Sequence, residues 1–147
     1  MYIRPITYID LEGNKRTEEF CFNLNKAELT EMHLSATGGL DNVVRRIIAT
    51  QDNAGLVDIF KKLILDSYGE KSLDGKYFMK EDEDGRPLSR KFKQSEAYAA
   101  LFMELSSDEE KAIEFITNIM PKDLRDKAVE ASNDFRKTLP TVEPSEN

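Results

Sequence analysis

The first 22 residues place two stretches with apolar positions on either side of a polar turn, and the period turns helical from Asn25 onward. Tyr2 to Asp10 is rich in β-branched and aromatic residues. Thr17 to Phe22 returns with Phe20 and Phe22 on one face and Cys21 on the other. Between them Glu12-Gly13-Asn14-Lys15 is a polar turn, with Gly13 and Asn14 able to take positive φ. Residues 1–22 are therefore expected to form a β-hairpin. Pro5 cannot donate to a ladder, so the first strand is expected at a sheet edge or to start late. A lone hairpin is marginal in water, so it has to dock on helices or on another copy of the chain.

The helical part is expected over residues 25–135. Asn25 followed by Glu28 nearly matches a capping box. That helix is predicted to run to about Ala36, where Gly38-Gly39 stops it. A second carries Leu40, Val43, Val44, Ile47 and Ile48, and Gln51-Asp52-Asn53 breaks the chain after it. The third has the clearest stripe, with Leu56, Ile59, Phe60, Leu63 and Ile64 at i, i+3, i+4, i+7 and i+8. Its end is predicted at Tyr68-Gly69, with Gly69 as a left-handed cap. Residues 69–87 are turn-rich and hold one apolar island, Tyr77-Phe78-Met79, and an acidic turn, Glu81 to Gly85. They read as a long connection with room for a small second hairpin. Ser95 is expected to cap a helix with the stripe Tyr98, Leu101, Phe102 and Leu105. Ser107-Asp108-Glu109-Glu110 matches a capping box and opens the next, whose stripe is Ala112, Phe115, Ile116, Ile119 and Met120. Pro121 restarts the chain, and Leu124, Ala128, Ala131 and Phe135 mark a weaker last helix. Residues 136–147 hold Pro140 and Pro144 and little that is apolar, so a flexible tail is expected there. The expected fold is α+β and mostly α: one domain over residues 1–135, with the hairpin packed on a bundle of about five or six short helices.

Composition narrows the function. The 147 residues suit one domain that needs no disulfide or metal staple. Charged residues make up 33% of the chain and the net charge is −7, from 21 basic and 28 acidic residues. An acidic surface repels phosphate backbones, and Lys61-Lys62 and Arg90-Lys91-Lys93 are too short to reverse that, so no nucleic-acid partner is expected. No stretch approaches the run of about 18 apolar residues that a membrane span needs. The N-terminus has no basic region followed by an apolar run, so no signal peptide is expected. The lone Cys21 rules out an internal disulfide and suits a reducing compartment.

Candidate chemistry mostly fails on counting. His33 is the only histidine, and it sits in a predicted helix between Met32 and Leu34. A nucleophilic device would have to pair it with Cys21 or a serine. Zinc would need carboxylates beside that one Cys and one His. Aligned on a calcium loop with Gly85 at its sixth position, the acidic run puts Lys80 at the first and Lys91 at the twelfth, which fails at both ends. Gly38-Gly39 lacks the Lys-Ser/Thr pair of a phosphate loop. No catalytic residue, cofactor or metal is expected. The apolar stripes remain, mostly as core. They offer more apolar surface than a small bundle must bury, so one can serve as a groove for a partner helix or another copy of the chain.

Three stretches give the chain a family likeness. Ser67-Tyr68-Gly69-Glu70-Lys71-Ser72 with Asp74-Gly75 and Phe78, then Phe92 to Tyr98 with Leu101-Phe102-Met103-Glu104-Leu105, then Ala112 to Pro121, resemble tail assembly chaperones of long-tailed phages and prophages of Gram-positive bacteria. The hairpin followed by Phe22-Asn23-Leu24-Asn25-Lys26-Ala27-Glu28-Leu29 fits the same family. The likeness spans about residues 2 to 125. It implies a protein of the host cytoplasm that is absent from the finished virion. It also implies binding to the tape measure protein, which is kept soluble, and recruitment of tail tube subunits. Many such proteins have a longer form made by ribosomal frameshifting. The family brings no catalytic residues with it.

The expected function is thus non-enzymatic: a tail assembly chaperone with the tape measure and tail tube proteins as partners, and self-association as a further possibility. The partner surface is expected on the two helices after the acidic loop, through Tyr98, Phe102, Leu105, Phe115 and Ile119. The edge strand near Pro5 is a second candidate, for self-association by strand pairing. The rival functions are a structural virion component such as a tail completion or connector protein, a metal-dependent regulator or enzyme, and a small regulatory protein that binds a host factor.

Overall fold

In the computed structural model, which describes residues 1–31 and 54–126, the hairpin forms as β1 (Tyr2–Ile9) and β2 (Lys15–Phe22). They pair antiparallel from Tyr2↔Phe22 to Ile9↔Lys15. Gly13 holds φ +87° and donates to the Asp10 carbonyl, while Asp10 donates to the Asn14 carbonyl. This is a three-residue loop that closes on a left-handed glycine. Asp10 organises it further: its carboxylate accepts from the amides of Glu12 (2.9 Å) and Asn14 (2.8 Å) and from Arg16 Nε (2.6 Å). The sheet order is β1-β2-β3-β4, so β1 is an edge strand, as Pro5 requires.

Asn25 caps α1 (Lys26–Glu31) through a complete capping box. Its Oδ1 accepts from the Glu28 amide at 2.8 Å, and the Glu28 carboxylate accepts from the Asn25 amide at 2.9 Å. The helix α2 (Ala54–Ser67) buries Phe60, Leu63 and Ile64 and sets Ile59 at the core edge. The rest of the predicted first helix, the second helix, Gly38-Gly39, His33, the break at Gln51-Asp52-Asn53 and the Leu56 side chain lie outside the described residues. So do residues 127–135 and the tail expected over residues 136–147.

The expected left-handed cap at Gly69 is corrected by the structure. The helix stops at Ser67, and Tyr68–Lys71 forms β3, with Gly69 paired to Cys21. Gly69 is not among the glycines with positive φ. The glycine is needed for space, because Phe78 and Met79 lie against its Cα. Those two residues form β4 (Phe78–Met79), which pairs with Lys71 and Glu70, so the second hairpin is real. The acidic turn is an Asp82-capped turn: Asp82 Oδ1 accepts from the amides of Asp84 and Arg86, both at 2.9 Å. Lys80 anchors the segment by donating to Glu28 and to the Asp66 carbonyl, each at 2.6 Å.

A one-turn helix that the sequence pattern missed, α3 (Ser89–Lys93), follows Pro87 and buries Phe92. Ser95 then caps α4 (Glu96–Ser107), accepting from the Tyr98 amide at 3.1 Å. The cap of α5 (Glu109–Ile119) is Asp108 and not Ser107, a second correction. Asp108 has extended backbone and accepts from the Lys111 amide, while Ser107 ends α4 with its hydroxyl donating to the Met103 carbonyl at 2.9 Å. The whole stripe of α5 and Met120 beyond it are buried. Residues 122–126 start another helical turn, the sixth helical segment among the described residues.

One core joins strands to helices. Phe22 meets Phe115 at 5.1 Å and Phe92 at 5.9 Å, and Tyr68 stacks flat on Phe92 at 4.3 Å. Backbone bonds tie the joint, with Asn23 donating to the Ser67 carbonyl at 2.7 Å and Leu24 to that of Ile119 at 2.8 Å.

Candidate functional site

The helix α4 carries an uninterrupted apolar run, Ala97-Tyr98-Ala99-Ala100-Leu101-Phe102-Met103. Seven successive residues pass fully around a helix with 3.6 residues per turn. A helix that is apolar all round is normally covered all round. Here only one side is: Ala97, Leu101 and Leu105 face the core. On the other side Ala99 is exposed, Phe102 is half-buried and Met103 is 63% exposed.

The five residues expected to meet a partner divide by burial. Leu105, Phe115 and Ile119 are 2%, 1% and 0% exposed and form core, so their side chains have no surface to present. Tyr98 and Phe102 sit at the core edge, half-buried, with their rings 6.0 Å apart. An aromatic chain runs outward from Phe22 through Phe92 to Tyr98 (5.8 Å) and Phe102. Burial raises the Tyr98 phenol above its ordinary value, so it stays protonated. The period of the stripe found these residues. Met103 fell outside it, and the signal that marks it is the unbroken length of the apolar run.

The α4 frame is fixed by charge. Arg4 of β1 reaches Glu104 of α4 and, at 3.7 Å, Glu114 of α5, and donates to the Tyr2 hydroxyl at 3.0 Å. Burial alone would lower the Arg4 pKa, but the Tyr2 hydroxyl and Glu104 outweigh it and raise it. Lys111 of α5 also reaches Glu104, at 3.1 Å. Ion pairs of Arg4 and Lys111 thus tie β1, α4 and α5 to one another.

Burial, then Glu19 and Glu70, push the Cys21 thiol up, away from the reactive thiolate. Among the described residues no three His, Cys, Asp or Glu side chains form a group able to hold a metal ion. Among them, too, no helix is long and apolar enough to cross a membrane. The arrangement can offer apolar area to another protein.

A family model described as a phage tail assembly chaperone matches residues 1–147. Among proteins of curated function and among solved structures, none matches the chain significantly.

Proposed function

The chain belongs to the phage tail assembly chaperone family, and from that premise we propose that it binds the tape measure protein of a long-tailed phage or prophage of a Gram-positive host. It keeps that protein soluble in the host cytoplasm and helps recruit tail tube subunits around it. It acts by binding alone and leaves before the virion is complete. The observation that carries this reading is the half-covered apolar run on α4. A long helical partner needs its apolar stripe shielded, and the outer face of α4 offers Ala99, Phe102 and Met103 at i, i+3 and i+4 for a helix to lie against. Met103 supports adaptable contacts, because an unbranched thioether side chain fits many surfaces. The net charge of −7 keeps the loaded complex soluble.

Co-expression with the tape measure protein tests this. The wild-type chain is expected to hold the tape measure protein in the soluble fraction, and Met103→Asp to lose it while melting at the wild-type temperature. Phe102→Asp is expected to lose both binding and some stability, since that ring packs on the core edge. Full solubilisation by both variants would remove α4 as the binding face. Stoichiometric amounts of the chain in purified particles would overturn the chaperone reading itself.

A further inference from the structure

Among the described residues, the strand β2 has an open side. Asp10 donates to the Asn14 carbonyl at the end of the loop, so the even-numbered residues of the hairpin exchange main-chain bonds with one another. The odd-numbered residues of β2 turn their amides and carbonyls the other way. Asn23 donates to the Ser67 carbonyl and Cys21 pairs with Gly69 on that side. The next pairs do not form, because β3 goes on to join β4 through Glu70 and Lys71. Lys15, Thr17 and Glu19 thus meet no strand on that side among the described residues, and every residue from Lys15 to Glu19 is exposed.

The open stretch, Lys15-Arg16-Thr17-Glu18-Glu19, runs from cations through a neutral centre to anions. In an antiparallel pair the opposed positions have numbers that add to a constant. Two copies of the stretch centred on Thr17 therefore set Lys15 of one opposite Glu19 of the other, Arg16 opposite Glu18, and Thr17 opposite Thr17. A two-fold axis repeats each match. In this register Lys15, Thr17 and Glu19 are the main-chain-bonded positions, so their open amides and carbonyls all find partners. A centre moved to Arg16 or to Glu18 sets like charges against each other, and a parallel pair in register does so at every charged position. Lys15 and Glu19 form no ion pair among the described residues. Arg16 holds Asp10 through Nε and is still 49% exposed, and Glu18 holds the Tyr8 hydroxyl through one oxygen. The second strand reaches its loop at Asn14, opposite Phe20, before it would meet Gly69 beside Cys21. Hollows of about 710 Å³ and 530 Å³, both bordered by Phe20 and Glu70, lie at that end.

We propose that the open edge of β2 pairs with the same edge of a second copy of this chain, antiparallel and centred on Thr17, so that the two hairpins form one continuous sheet. Main-chain bonds supply affinity, and the charge order of Lys15–Glu19 selects the partner and the register. The opposite edge of the hairpin is the poorer choice. On β1 the open side belongs to the odd-numbered residues, and Pro5 among them has no amide to give. The one charged residue of β1 is Arg4, which is turned to Glu104, so no charge sets a register there. The β2 edge is separate from the outer face of α4, and the pairing does not rest on the tape measure reading.

The test is sedimentation equilibrium of the full chain, with amide hydrogen exchange followed at rising concentration. A dimer is expected, with the amides of Lys15, Thr17 and Glu19 gaining protection as it forms. Lys15→Glu sets like charges against Glu19 of the other copy and is expected to weaken the dimer about tenfold. Glu19→Lys sets like charges against Lys15 and is expected to do the same. An equimolar mixture of the two variants is expected to regain the wild-type affinity, because each then meets the opposite charge. Both side chains are exposed, so the circular dichroism of the variants is expected to match the wild type. Thr17→Pro removes an amide from the open side and none from β1, and is also expected to weaken the dimer about tenfold. Met103→Asp is expected to leave it unchanged. A chain still monomeric at about millimolar concentration, a dimer protected only elsewhere, or a mixture no tighter than its components overturns the proposal. Protection of Lys15, Thr17 and Glu19 in the dilute monomer also overturns it, since a segment of the same chain then fills the edge. Loss of the dimer in Met103→Asp assigns it to α4 and overturns it too.

Discussion

A Cβ placed on Gly69 would lie 2.5 Å from the Met79 carbonyl oxygen and 2.5 Å from the Phe78 ring. The ring can shift, but the carbonyl belongs to a paired strand and cannot. Gly69→Ala is therefore expected to cost about 2 kcal/mol in denaturant unfolding, the strain exceeding the gain from a stiffer unfolded chain. An unchanged midpoint would show that β3 and β4 have slack. Asp10 gives a residue-scale prediction with pH as the variable. Its carboxyl is held below its ordinary value, first by Arg16 and then by the amide of Asn14. A group whose folded pKa is depressed stabilises the fold above its unfolded pKa and loses that effect as pH falls through the folded value. The hairpin turn is thus expected to weaken below the ordinary carboxylate range, at about pH 4 and under. Asp10→Asn is expected to be less stable at neutral pH and less sensitive to acid, as followed by amide exchange in residues 8–16.

At the scale of elements, the caps at Asn25 and Ser95 were legible, and the first is directly testable. Asn25 and Glu28 satisfy each other's amides, so Asn25→Ala is expected to cost about 1 kcal/mol in thermal unfolding, with Asn25→Asp near neutral. The hairpin, the edge position of Pro5, the Ser95 cap and the stripes of α2 and α5 were all readable, because each depends on neighbours in sequence. What failed depends on distant residues. Gly69 looked like a helix stop, and only the approach of the Met79 carbonyl and the Phe78 ring shows why it is glycine. Ser107 and Asp108 both suit a cap, and the preceding helix decides between them by using the Ser107 hydroxyl itself. The helix α3 spans only Ser89–Lys93, too short to show a period. The candidate face was half legible for the same reason. Period placed Tyr98, Phe102 and Leu105 on one stripe, but burial separates Leu105 from the other two.

Over the whole molecule, the hairpin and the helices share their core, and this decides how the chain should unfold. Phe22 of β2 contacts Phe115 of α5, Tyr2 of β1 meets the same ring at 5.9 Å, and Arg4 joins β1 to both α4 and α5. The two-stranded hairpin β1-β2 would not hold by itself in water. The helices in turn would expose Phe92, Leu101 and Phe115 if the hairpin left. Strand and helix signals are therefore expected to disappear together, in one transition with coincident midpoints by far-ultraviolet circular dichroism and tyrosine fluorescence. Arg4→Ala tests the joint directly. Its side chain is 11% exposed, and its removal leaves Glu104 with Lys111 but frees the Tyr2 hydroxyl and the hairpin edge. The expected loss is about 2 kcal/mol, taken equally from both signals. If fluorescence instead melts first and helicity persists, the hairpin is a separable arm, and α4 does not owe its orientation to β1. A rigid platform for an apolar partner requires the first result, since a binding face that moves with a detachable arm would have to be ordered again at every encounter.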